Sequence, residues 1–140
     1  MGSTAGAAAR VPQNDHNAIK WYRKAAEQGH AEAQFKVGLL YEKGRGLPRH
    51  YGKAAEWYLK AAEQNFDNAQ YRLGILHDKG LGVEKNPVLA YMWTALAKAS
   101  GNALAALQLD QIEKRMTPAQ IAKAQEMAAK WRPKKAGSTK

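Results

Sequence analysis

Trp21, Trp57 and Trp93 stand thirty-six residues apart, and the residues around them return at the same offset. Laying 15–50 over 51–86 gives identity at fifteen of thirty-six positions, among them Ala18/Ala54, Trp21/Trp57, Tyr22/Tyr58, Gln34/Gln70, Gly38/Gly74 and Gly46/Gly82. A period of this length marks a solenoid, in which one unit is too small to bury its own apolar face and stacks on its neighbours. The expected fold is therefore all-α: about three helix-hairpin repeats of 36 residues and a C-terminal capping helix. Arrays of this kind offer an extended surface to a partner and rarely build a catalytic pocket.

Within a unit the apolar residues follow helical spacing. Over residues 51–64, Ala54, Trp57, Tyr58, Ala61 and Ala62 share one face, while Lys53, Glu56, Lys60 and Glu63 take the wet side. The second helix, over 68–79, turns Ala69, Leu73 and Leu76 inward, and its Gly74 repeats Gly38. A mid-helix glycine costs about 1 kcal/mol relative to alanine, so its return at one repeat position predicts a close approach by another helix. The connectors Gly44-Arg45-Gly46-Leu47 and Gly80-Leu81-Gly82-Val83 end each second helix on glycines suited to positive φ. They then return Leu47 or Val83 to the core.

The array spans 11–131, with units at about 15–50, 51–86 and 87–116 and a capping helix over 117–131. Residues 1–10 read as a flexible start or an expression remnant, and 132–140 as a flexible basic tail. Val11-Pro12 precedes Leu47-Pro48 by one period, so the array opens inside a connector, with Asp15 capping a helix that lacks its stacking partner. That uncovered face predicts self-association or a longer parent chain. The third unit keeps Asn86-Pro87 as a cap and first helical residue, and over 102–115 it turns Ala105, Leu109 and Ile112 inward. Its glycines are gone, with Asp110 and Met116 in their places. Thr117-Pro118-Ala119-Gln120 is a capping box that opens a last helix. There Ile121, Ala124, Ala128 and Trp131 pack back while Lys123, Glu126 and Lys130 face water.

Charge and composition narrow the function further. Of the net charge of +10, residues 15–116 carry +4 and the ends carry +6, concentrated after Lys130 in Arg132, Lys134, Lys135 and Lys140. The chain has no cysteine, which excludes disulfides and thiolate metal sites. No apolar run approaches the roughly 18 residues that a membrane span needs. The first ten residues lack the apolar stretch of a signal peptide, which favours the cytoplasm. A periplasmic or secreted location follows instead if those residues stand in for a removed leader.

Catalytic chemistry has little to stand on. His16, His30, His50 and His77 are dispersed with no i, i+4 pair, so no metal site is expected, and no cofactor. His77 takes the place of Tyr41 one unit earlier and reads as structural. Ser3 and Ser138 lie in the ends and Ser100 at a helix terminus. The glycine pairs follow helices and lack the strand–loop–helix setting and the Lys-Ser/Thr of a nucleotide loop.

The pattern Ala-x-x-Trp-Tyr-x-Lys-Ala-Ala, then Ala-Gln-x-x-Val/Leu-Gly-x-Leu-Tyr/His-x-Lys-Gly-x-Gly, resembles the Sel1-like repeat, a relative of the tetratricopeptide repeats. Two copies match over 18–46 and 54–82, and a third matches in its first helix. The ending from Tyr91-Met92-Trp93 to Trp131 is similar to that of bacterial members. The resemblance implies a right-handed superhelix of antiparallel helix pairs and an adaptor role, with the Leu-Gly helices on the concave side. Three outward rows then follow: Phe35, Tyr71 and Leu107; Lys36, Arg72 and Gln108; Leu39, Ile75 and Gln111. Lys36 and Arg72 are placed to clamp a carboxylate or phosphate, and Tyr71 and Leu39 to hold an apolar side chain of a peptide. The other reading of these rows is packing between adjacent helices, with the cations simply solvated. The expected partner is a protein or peptide; the alternative is nucleic acid or an anionic surface met by the basic tail. Because the three tryptophans share a face with alanines, core packing is expected of each.

Overall fold

The computed structural model describes residues 15–135, and within them the chain forms seven α-helices and no strand. These are α1 Asp15–Glu27, α2 Ala31–Lys43, α3 Tyr51–Ala62, α4 Asp67–Lys79, α5 Pro87–Ala99, α6 Ala103–Glu113 and α7 Pro118–Lys130. From α1 to α6 each helix packs on the next in chain order, a helical-repeat solenoid. The expected N-terminal remnant, the Val11-Pro12 connector, the capping side chain of Asp15 and the last five residues lie outside the described residues.

The helix boundaries have local causes. Asn86 accepts the Leu89 N–H at 3.0 Å ahead of Pro87, and Asn102 accepts the Ala105 N–H at 2.9 Å. At α7 the capping box closes both ways: Thr117 Oγ1 accepts from the Gln120 N–H at 3.1 Å, and Gln120 Oε1 accepts from the Thr117 N–H at 2.9 Å. His50 caps α3 by accepting the Lys53 N–H at 3.0 Å, a role that sequence gave no reason to assign. Gly44 and Gly80 close α2 and α4 in the left-handed conformation, with φ of 68° and 70°. Gly82 has a second duty. A Cβ there would stand 2.3 Å from the Tyr51 carbonyl carbon and 2.5 Å from the Gly52 nitrogen. One glycine ends the helix and the next lets the connector lie on the start of α3.

The mid-helix glycines explain how units stack. A Cβ at Gly38 would meet the Tyr58 ring at 2.5 Å, and one at Gly74 would meet Thr94 Oγ1 at 2.4 Å. Tyr58 and Thr94 are repeat mates and both fully buried. Each Leu-Gly helix therefore carries a notch that receives the next unit's first helix. Tyr58 reaches through to donate to Glu42 at 2.5 Å, whereas the buried Thr94 hydroxyl has no hydrogen-bond partner. Thr94→Val keeps the shape and removes an unpaired polar group, so it should raise stability by about 1 kcal/mol in urea unfolding. A loss of that size would contradict this packing. The recurring Gln34 and Gln70 are buried staples, donating to the Ala26 and Ala62 carbonyls at 3.2 and 3.1 Å.

The tryptophans depart from expectation. Trp93 is buried, Trp57 is half-buried, and Trp21 is 41% exposed. About 100° of helix rotation separates neighbouring residues, and it is Tyr58, not Trp57, that points into the seam between units. Among the described residues the tryptophan side is covered most fully in the third unit, where α7 returns and Trp131 meets Trp93 edge-on with ring centroids 6.0 Å apart.

The capping helix does its work from the side. It packs on α5, burying Ala124 with Ala90, Tyr91, Leu109 and Ile112. Gln125 donates to the Tyr91 hydroxyl at 3.2 Å, and Tyr91 donates to Glu113 at 2.9 Å. Ile121, Ala128 and Trp131 are half-buried, and Lys123, Glu126 and Lys130 are exposed, as their spacing predicts. The outward face of α6 stays open. Leu104 and Leu107 are 58% and 66% exposed, and Asp110 stands where the notch glycine would be.

Candidate functional site

The three expected rows meet different fates. Phe35 is a correction: it is buried, against Tyr58 at 5.8 Å and Phe66 at 5.4 Å between ring centroids. It lies in the inter-unit seam, because the helix that fills the Gly38 notch also covers the neighbouring position. Its repeat mates are progressively freed. Tyr71 is half-buried, and Leu107, with no further helix stacked on α6, is open. Leu39 and Lys36 are half-buried on α2, with Leu39 packed against the core, and Ile75 is half-buried on α4. Gln108 is half-buried and Gln111 exposed on α6.

The charged row is partly committed within the fold. Arg72 sits 3.6 Å from the Glu42 carboxylate, which also accepts from Tyr58. One unit on, Asp78 accepts from Gln108 at 3.5 Å and pairs with Arg115 at 3.1 Å. An acid near the end of each Leu-Gly helix thus takes a donor from the second helix of the next unit. The signal was present in sequence, since Glu42/Asp78 and Arg72/Gln108 are both repeat mates, but it needed a cross-unit comparison to be seen. Burial first, and then Glu42, push the Tyr58 hydroxyl pKa upward, so it remains a donor throughout the ordinary pH range.

At the C-terminal end the rows do converge. Tyr71, Gln108 and Gln111 line one broad concavity of about 830 Å³ with Leu104, Leu107 and Ile121. Asp110, Glu113 and Lys114 edge it, giving an apolar floor with amide and charged groups around it. Nothing in it is arranged as nucleophile and base. Among the described residues no group of three His, Asp or Glu is placed to hold a metal ion. No helix among them is long and apolar enough to cross a membrane. The basic end is partly engaged as well, because the Lys134 Nζ lies 3.2 Å from the Glu63 carboxylate.

A solenoid of notched helix pairs with an open face on α6 is the architecture of a helical-repeat scaffold. The Sel1 repeat profile matches this chain three times, over residues 4–30, 31–66 and 67–102, and the chain belongs to that family. Each full match opens on a Leu-Gly helix, half a repeat from the division used above. Sel1 repeats form a non-catalytic scaffold that generally mediates protein–protein interaction. Among solved structures, the chain superposes on c5321, a protective antigen of uropathogenic Escherichia coli with this fold, with a TM-score of 0.80 at 34% identity. That match covers 83% of this chain and 25% of c5321. A Sel1 repeat protein from Oxalobacter formigenes gives a TM-score of 0.71 at 37% identity, covering 85% of this chain and 51% of that one. Curated relatives share shorter stretches. The chitin synthase regulator SKT5 of Malassezia restricta is 44% identical over 43 residues, 31% of this chain. DAP3-binding cell death enhancer 1 of Rattus norvegicus is 47% identical over 36 residues, 26% of this chain. The chain spans only 3% and 7% of these two proteins' lengths.

Proposed function

We propose that this chain is a non-catalytic adaptor that docks a protein or peptide partner on the concavity between α4 and α6. Tyr71 and Leu107 supply the apolar contact, and Gln108 and Gln111 the hydrogen-bonding rim. The observation that carries this reading is the exposure of Leu104 and Leu107 on a helix whose other leucine and isoleucine are buried. Contiguous apolar surface that folding leaves open, edged by polar groups, is typical of interaction sites. Lys36 and Leu39 extend the same helix face one unit back. Arg72 contributes to a partner only by leaving Glu42.

The test is affinity capture from nuclease-treated lysate with three forms of the chain: intact, ending at Trp131, and carrying Tyr71→Ala, Leu107→Asp and Gln111→Ala together. A discrete protein retained by the first two and lost by the third is expected. Retention by the triple variant would sink the assignment. Loss on truncation alone would move the function to the basic end.

A further inference from the structure

Just beyond α7 the chain docks on itself in a way that the repeat offers twice. Trp131 sets its ring against Trp93. Three residues later the Lys134 N–H donates to the Glu63 carbonyl at 2.6 Å while its Nζ pairs with the Glu63 carboxylate. An extended segment thus places an aromatic on the tryptophan of one unit and a cation at the end of α3 in the unit before. There the carboxylate and the last helix carbonyls both favour positive charge. Thirty-six residues before Trp93 and Glu63 stand Trp57 and Glu27. A cavity of about 550 Å³ opens between those two, floored by Gln34 and Gln64 and rimmed by Lys134 and Lys135. Its floor is set, because Gln64 donates to the Gly29 carbonyl at 3.0 Å and to Gln34 Oε1 at 2.9 Å.

We propose that this cavity is a docking site for an extended segment of a partner protein that carries an aromatic residue followed three positions later by Lys or Arg. The aromatic seats on Trp57, which is half-buried, and the cation reaches Glu27 and the C-terminal carbonyls of α1. Residues 131–134 are the template for the occupant, shifted by one repeat. Two features adapt the site to a basic visitor. Lys134 at its rim is already neutralised by Glu63, which leaves Lys135 as the rim cation that the visitor's basic residue must stay clear of. Lys60, which covers the Trp57 ring at 5.9 Å where unit three has Leu96, is exposed and free to swing aside. This surface is separate from the α4–α6 concavity, and neither depends on the other.

The probe is a fluorescent synthetic peptide, Lys-Trp-Arg-Pro-Lys-Lys, titrated into the intact chain and followed by anisotropy. Saturable binding is expected, weakened at least about tenfold by Glu27→Lys and by removing the peptide's Trp. Trp57→Leu should weaken it comparably, with thermal unfolding of each variant confirming that the fold is kept. Absence of saturable binding would overturn the proposal, as would equal binding by Glu27→Lys. Binding lost with Glu63→Lys but kept with Glu27→Lys would mean that the peptide displaces the chain's own segment, which also overturns it. Self-association that vanishes when the chain ends at Lys130, with no peptide binding, would give the cavity to a second copy and overturn it too.

Discussion

Replacing Gly82 with alanine should lower the stability of the array by about 2–5 kcal/mol, a large share of what a domain usually has. Two costs add. Gly82 sits at φ +73, where a side chain costs roughly 1–2 kcal/mol. Its new Cβ would also fall on the Tyr51–Gly52 peptide, which cannot move without unwinding the start of α3, and overpacking typically adds about 1–3 kcal/mol. In a chain of this size that is a fall in Tm of about 7–17 °C. Gly101→Ala is the control. It shares the positive φ, at +95, but has nothing within 4 Å of the added carbon, so only the conformational cost of about 1–2 kcal/mol remains. Equal losses at the two glycines would contradict the claim that the connector is seated on the start of α3.

Tyr58→Ala should cost about 3–5 kcal/mol, while Trp21→Ala should cost less than about 1 kcal/mol. Tyr58 is fully buried in the Gly38 notch and its hydroxyl holds Glu42, so truncation opens a cavity and removes a donor together. Trp21 is the larger residue, but it lies on the open side of α1 against Tyr22. Denaturant unfolding of the two variants ranks them directly. A Trp21 loss equal to or above that of Tyr58 would mean that the tryptophan side of the array is the structural one.

These two experiments also mark where sequence and structure part. The period announced the helix pairs, the notch glycines and the connectors, because each depends on residue type at a fixed spacing. Caps were legible where Asn86 and Thr117 stood in recognised positions and illegible at His50, which is outside the usual set of cap residues. The side of a helix that faces the seam was harder. Trp57 and Tyr58 are adjacent and both aromatic, and a helical face drawn from sequence includes both. Only the position of the preceding unit separates them. The same shortfall explains Phe35, whose exposure depends on a helix stacked across the notch, and Leu107, which is open because none is stacked there. The depression at Tyr71 was half legible. Its Tyr71, Gln108 and Gln111 fell in the expected rows, but α7 turning aside to α5 has no signature in the repeat.

The docking surface itself is tested most directly by site-specific photocrosslinking in the presence of lysate. A photoreactive phenylalanine analogue would replace Leu107 on the open face of α6 and, separately, Lys123 on the exposed side of α7. A discrete protein adduct from position 107 and none from position 123 is the predicted result. Adducts of equal yield from both positions, or an adduct from position 123 alone, would contradict the assignment of α6 as the face that a partner meets.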